Sequence, residues 1–107
     1  MSGNAPIRVY GLVSGLAQDN LKTLCLGFDP ETFTYADRTL TIAYEGPYFF
    51  IEDFLDRLVT LLDADGDGKL DYIDQQAWQM TRYDIRRTGY TAKLINLNDV
   101  LERYNRE

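Results

Sequence analysis

Asp63-Ala64-Asp65-Gly66-Asp67-Gly68-Lys69-Leu70-Asp71-Tyr72-Ile73-Asp74 is the stretch on which the reading of this chain turns. Carboxylates stand at positions 1, 3, 5, 9 and 12 of the twelve, a glycine at position 6 (Gly68) and an aliphatic residue at position 8 (Leu70). A hard cation of calcium's size takes six to eight oxygen ligands at roughly 2.3–2.6 Å, and one continuous turn with this spacing can supply them. The plainer alternative is an acidic surface turn. It would hold the same carboxylates together against their mutual repulsion, with no cation to offset it.

The flanks read as helices. Gly46-Pro47 fits a helix start, with proline where its missing N–H is harmless. Ile51, Phe54, Leu55, Leu58, Val59, Leu61 and Leu62 then form a broad apolar face that runs up to the acidic stretch. After it, a second helix is expected from Tyr72 or Ile73 to about Arg87, turning Ile73, Ala77, Trp78, Met80 and Ile85 toward a core and ending at Gly89. A third, short helix is expected from Asn96, a good capping residue, burying Leu97, Val100, Leu101 and Tyr104.

Helix, twelve-residue acidic loop and helix together resemble a single EF-hand unit over residues 51–81. The resemblance implies ligand roles: side-chain oxygens from Asp63, Asp65 and Asp67, the backbone carbonyl of Lys69, Asp71 directly or through water, and Asp74 closing the sphere. It also implies a left-handed backbone at Gly68 and an inward Leu70. Position 12 departs from the family, which usually has glutamate; Asp74 is shorter by one methylene, as in dockerin-type loops. That shortening lowers coordination number or affinity, or lets magnesium compete as an alternative to calcium. Gln75 and Gln79 are a second departure, standing where the family often has apolar residues.

EF-hands usually pair, and residues 88–99 stand where a partner loop would be sought. They lack the carboxylates at 1, 3 and 5 and the glycine at 6, so they form no second cation site. If residues 89–95 are extended they can run back about 23 Å. That matches the ~21 Å rise of a fourteen-residue helix. Ile95 would then lie beside Leu70 in place of a partner loop.

Before residue 46 the pattern is that of strands. Residues 7–13 read as a first strand, and residues 32–35 and 39–44 as two more joined through Ala36-Asp37-Arg38 in a tight hairpin. Residues 16–28 fit a helical face (Ala17, Leu21, Leu24, Cys25, Phe28) or a buried strand; the turn signals at Gly27 and Asp29-Pro30 favour a strand pairing back on the first. The expected fold is α+β: one domain over residues 1–107, with a β-rich half (1–46) packed on a helical half (47–107).

Composition limits the function. The chain has 107 residues and a net charge of −6, and the five aspartates of the acidic stretch account for most of that excess. The six basic residues from position 81 onward, against four acidic ones, do not make a nucleic-acid platform. There is no histidine, no phosphate-cradling glycine loop, and no paired carboxylates outside the stretch, so an enzyme is not expected. Cys25 is the one cysteine, which rules out an internal disulfide and suits a small core residue. Neither a secretory signal nor an apolar run long enough to span a bilayer is visible, which makes the cytoplasm the default expectation.

Several features have two readings. Tyr48-Phe49-Phe50 could open to a partner on ion binding or seal a sheet against a helix; Trp78 reads as core; Arg82, Arg86 and Arg87 suit a solvated helix face. The expected function is calcium binding by one EF-hand loop in a calcium-stabilised protein-interaction domain. The alternative is a calcium-responsive sensor or adaptor that exposes an apolar surface to a protein partner.

Overall fold

The computed structural model describes residues 6–96. Strand β1 (Ile7–Leu16) is followed by helix α1 (Gln18–Cys25), a 3-10 turn (Pro30–Thr32), strands β2 (Phe33–Ala36) and β3 (Thr39–Gly46), helix α2 (Ile51–Leu61), and strands β4 (Leu62–Asp74), β5 (Gln79–Arg86) and β6 (Gly89–Asn96). The six strands make one sheet in the order β2-β3-β1-β4-β5-β6, antiparallel at every pairing.

Alternation along the strands divides the sheet into two faces. Ile7, Val9 and Val13 of β1, Leu40 and Ile42 of β3, Leu70 of β4 and Ile85 of β5 point one way and are buried with Leu24 of α1 and Phe54, Leu55 and Leu58 of α2. Both helices therefore cover the same face. Phe28, Phe33, Tyr44, Phe49 and Phe54 close one end of this core with ring centroids 5.0–6.2 Å apart. Arg57 of α2 donates through Nη1 to the carbonyls of Leu24 and Leu26, tying the end of α1 to α2. The other face carries Arg8, Tyr10, Leu12, Thr41, Lys69, Asp71, Arg82 and Asp84. Met80, opposite Ile73 and Ile95 in the register, is its buried exception among the described residues.

The N-terminal expectations agree with this structure in part. The first strand forms, and so does the hairpin, with Asp37 and Arg38 both at positive φ (52° and 62°) as a two-residue hairpin turn requires. The segment 16–28, for which a strand was favoured, contains α1 instead, with Leu24 as its buried anchor. Helix α2 begins at Ile51, four residues beyond Pro47.

The C-terminal half overturns the expected fold. No helix-loop-helix forms at 51–81: after α2 the chain goes straight into β4, and the segment expected as a second helix contributes the end of β4, a turn and β5. The physical reason is that β4 is an interior strand. Gly68, Leu70 and Tyr72 alternate with Asp67, Lys69 and Asp71, and β1 and β5 pair with this run on either side. Residues 89–95 are extended, but β6 pairs with β5, so Ile95 lies opposite Met80 and a whole strand separates it from β4. Trp78 is in the β4–β5 turn at φ 58° and 41% exposed, not in the core. The expected third helix lies outside the described residues, apart from its first residue, Asn96, which ends β6.

Candidate functional site

Between Ser14↔Asp67 and Leu16↔Leu62 the β1–β4 register skips. One residue of β1, Gly15, faces four of β4 (63–66), and the β5 ladder also stops at Asp67. This wide bulge is possible because Gly15 takes a φ of 87° and because both partners lack side chains. A Cβ on Gly15 would come within 2.5 Å of the Gly66 Cα. The backbone N–H groups of Gly15 and Leu16 donate to the Arg38 carbonyl, fixing the β2–β3 turn beside the bulge.

The six residues expected to surround an ion are thus divided between two environments. Asp63 and Asp65 lie in the bulge and Asp67 at its end. Asp63 is ion-paired with Arg38, and Asp67 accepts a hydrogen bond from the Ser14 hydroxyl at 3.1 Å. Asp65, Gly66 and Asp67 line a shallow hollow of about 260 Å³ together with Arg86, Arg87 and Thr88. Arg87 donates to the Leu62 carbonyl at 3.1 Å.

The remaining three belong to the ladder. The carbonyl of Lys69 lies against Gly11, where an added Cβ would meet it at 2.2 Å, and the Lys69 ammonium faces Asp84 at 3.8 Å. Asp71 is held in a fork by Arg82, with Nε at 2.8 Å and Nη2 at 3.1 Å from its two oxygens. It stands four residues from Asp67, about 13 Å along an extended strand. Asp74 belongs to the opposite face, and its Oδ1 accepts from the N–H groups of Gln76 and Ala77, shaping the turn into β5.

These positions do not fit a six-ligand sphere around one ion. Among the described residues no three or more His, Cys, Asp or Glu side chains converge as a metal cage. Gly68 does not take the left-handed backbone that the loop resemblance implies. It is a small residue under Val13, whose Cγ2 would be 2.6 Å from an added Cβ. Of the implied roles, only the inward direction of Leu70 coincides, and here it faces the sheet core.

Arg38, Arg82, Arg86, Arg87 and Ser14, which surround the aspartates, had no assigned role in the motif. A signal for two of them, Arg82 and Arg86, was present. Asp67, Lys69 and Asp71 face Arg86, Asp84 and Arg82 across the β4–β5 pair, so minus-plus-minus meets plus-minus-plus in a hairpin. Burial, more than any neighbouring charge, raises the phenol of Tyr72 above its usual value, and Asp74 adds to the effect. Burial likewise raises Tyr83, followed by Tyr90 and Glu52.

Comparison with family models, with curated proteins and with solved structures returns no match. Among the described residues no helix is long and apolar enough to cross a membrane.

Proposed function

We propose that this chain is a non-enzymatic, cation-stabilised interaction domain whose ion is held by the arc 63–67 and not by a twelve-residue ring. The observation supporting this reading is that residues 63–66 have no register partner on either neighbouring strand. Asp63, Asp65 and Asp67 stand on that short arc without converging as a cage, so binding requires their side chains to turn toward the ion, with calcium the favoured cation and magnesium its competitor. Asp63 has to exchange its ion pair with Arg38 for the cation, and Arg86 and Arg87 oppose positive charge nearby. Fewer anionic ligands and competing guanidinium groups suit a weak site, with a Kd of about 10⁻⁴–10⁻³ M.

Calorimetric titration with calcium chloride and magnesium chloride tests the reading. One calcium is expected per chain, with affinity reduced about tenfold by Asp65→Asn and unchanged by Asp74→Asn. An equal loss in Asp74→Asn means that the full ring forms and β4 has to rearrange; no heat with the unaltered protein rejects the ion altogether.

A structural role for the ion is favoured over a sensor role. The sensor reading moves two helices apart, and the second of them is here the β4–β5 hairpin. Calcium is therefore expected to raise the melting temperature without creating a new surface for an apolar dye. New dye binding on loading would support the sensor. The interaction surface in this reading is the sheet face that α1 and α2 leave uncovered.

A further inference from the structure

A second candidate site lies away from the acidic stretch, at the start of α2. Tyr48 and Phe50 are 58% and 59% exposed, while Phe49 between them is buried in the core. That one-in, two-out arrangement is held in place: the Tyr44 hydroxyl donates to the Tyr48 carbonyl at 2.5 Å, and Phe49 packs on Phe28, Tyr44 and Phe54. The two exposed rings meet edge to face at 4.7 Å. With Tyr72 of β4 and with Glu52 and Asp53 of α2 they line a pocket of about 380 Å³.

The charge around this pocket has one sign. None of its lining residues is basic. Asp53 is paired with Arg57 at 2.8 Å, whereas Glu52 has no ion partner among the described residues. Two large exposed rings are thus held side by side next to an acidic helix start. Aromatic faces attract cations through the negative charge density over the ring, most of all guanidinium groups, which can stack and reach a carboxylate at once.

We propose that this pocket receives an arginine side chain of a protein partner, the guanidinium resting on Tyr48 or Phe50 and donating to Glu52. The site is independent of the arc 63–67 and needs no metal ion.

The test is a pair of peptides, acetyl-Gly-Arg-Gly-amide and its citrulline counterpart, which keeps the shape and loses the charge. Each is titrated into the full chain in calcium-free buffer and followed by amide chemical shifts. The arginine peptide is expected to shift residues 48–53 and Tyr72 saturably, with the citrulline peptide about tenfold weaker. Phe50→Ala and Glu52→Gln are each expected to weaken the arginine peptide several-fold, with the melting temperature unchanged, because both side chains lie on the surface. Equal binding of the two peptides overturns the proposal. So does the absence of any saturable shift, or a shift centred on Asp71 and Asp84.

Discussion

Residues 63–66 and residues 67–74 belong to one motif and yet have different structures. The second group is a strand with a neighbour on each side, and its charges are matched across the β4–β5 pair. The first group has no ladder partner on either side and bulges past Gly15. The same residue type, aspartate, is a cross-strand partner in one and stands outside both ladders in the other. Local spacing states which groups could approach an ion. The neighbours decide which of them are free to do so.

The largest effects should come from the core side of the ladder. Leu70→Ala removes a fully buried side chain from the middle of the sheet and should cost about 2–5 kcal/mol in denaturant unfolding, with calcium present or absent. A loss that calcium fully restores would place Leu70 in an ion-organised loop instead.

Gly68→Ala and Gly66→Ala compare the two regions directly. At Gly68 the new methyl group meets Val13 at 2.6 Å, and a cost of about 1–3 kcal/mol is expected. At Gly66 its nearest contact is the tip of Leu62 at 3.0 Å, so the cost should be smaller. Val13→Ala combined with Gly68→Ala should cost less than the sum of the two single changes. Strict additivity would remove the packing explanation for Gly68.

Asp71→Asn should cost no more than about 1 kcal/mol, because its partner Arg82 is well exposed and salt screens the pair. Calcium affinity should be unaffected by this change if the arc 63–67 is the site. A clear drop in affinity would return Asp71 to the ligand set.

Alkaline pH gives the smallest effect, and its sign follows from the tyrosines. Burial raises the folded-state values of Tyr72, Tyr83 and Tyr10 above the ordinary tyrosine value of about 10. The unfolded chain therefore loses these protons first. The folded state holds more protons above pH 10, and stability declines as pH rises from there through the raised values, with nothing lost below. Melting temperatures at pH 8, 10 and 11 check this. For Tyr72→Phe the decline should be shallower, which would assign part of it to the ladder region.

Much of the first sixty residues was legible. The hairpin announced itself by alternation in residues 32–35 and 39–44 on either side of Ala36-Asp37-Arg38, and α2 by a 3.6-residue apolar period that no alternating pattern competed with. The segment 18–25 was misread because eight residues with one buried leucine satisfy either period. The segment 67–86 was misread for a different reason. Its alternation of Gly68, Leu70 and Tyr72 with charged residues was present, but the ligand spacing of the aspartates fits the same residues. Of the arginines around the candidate site, Arg82 and Arg86 come from the next strand of the hairpin, but no local pattern points to Arg38 or Arg87.

From its sequence alone the chain determined that it has an apolar helix before residue 62, strands before residue 46, and a dense run of carboxylates between 63 and 74. Those are local properties, set by side-chain period and by charge. Only the tertiary structure decided that the run is mostly an interior strand. A strand's conformation is completed by hydrogen bonds to partners, and here those partners, β1 and β5, lie on either side of a choice that the twelve residues could not make by themselves.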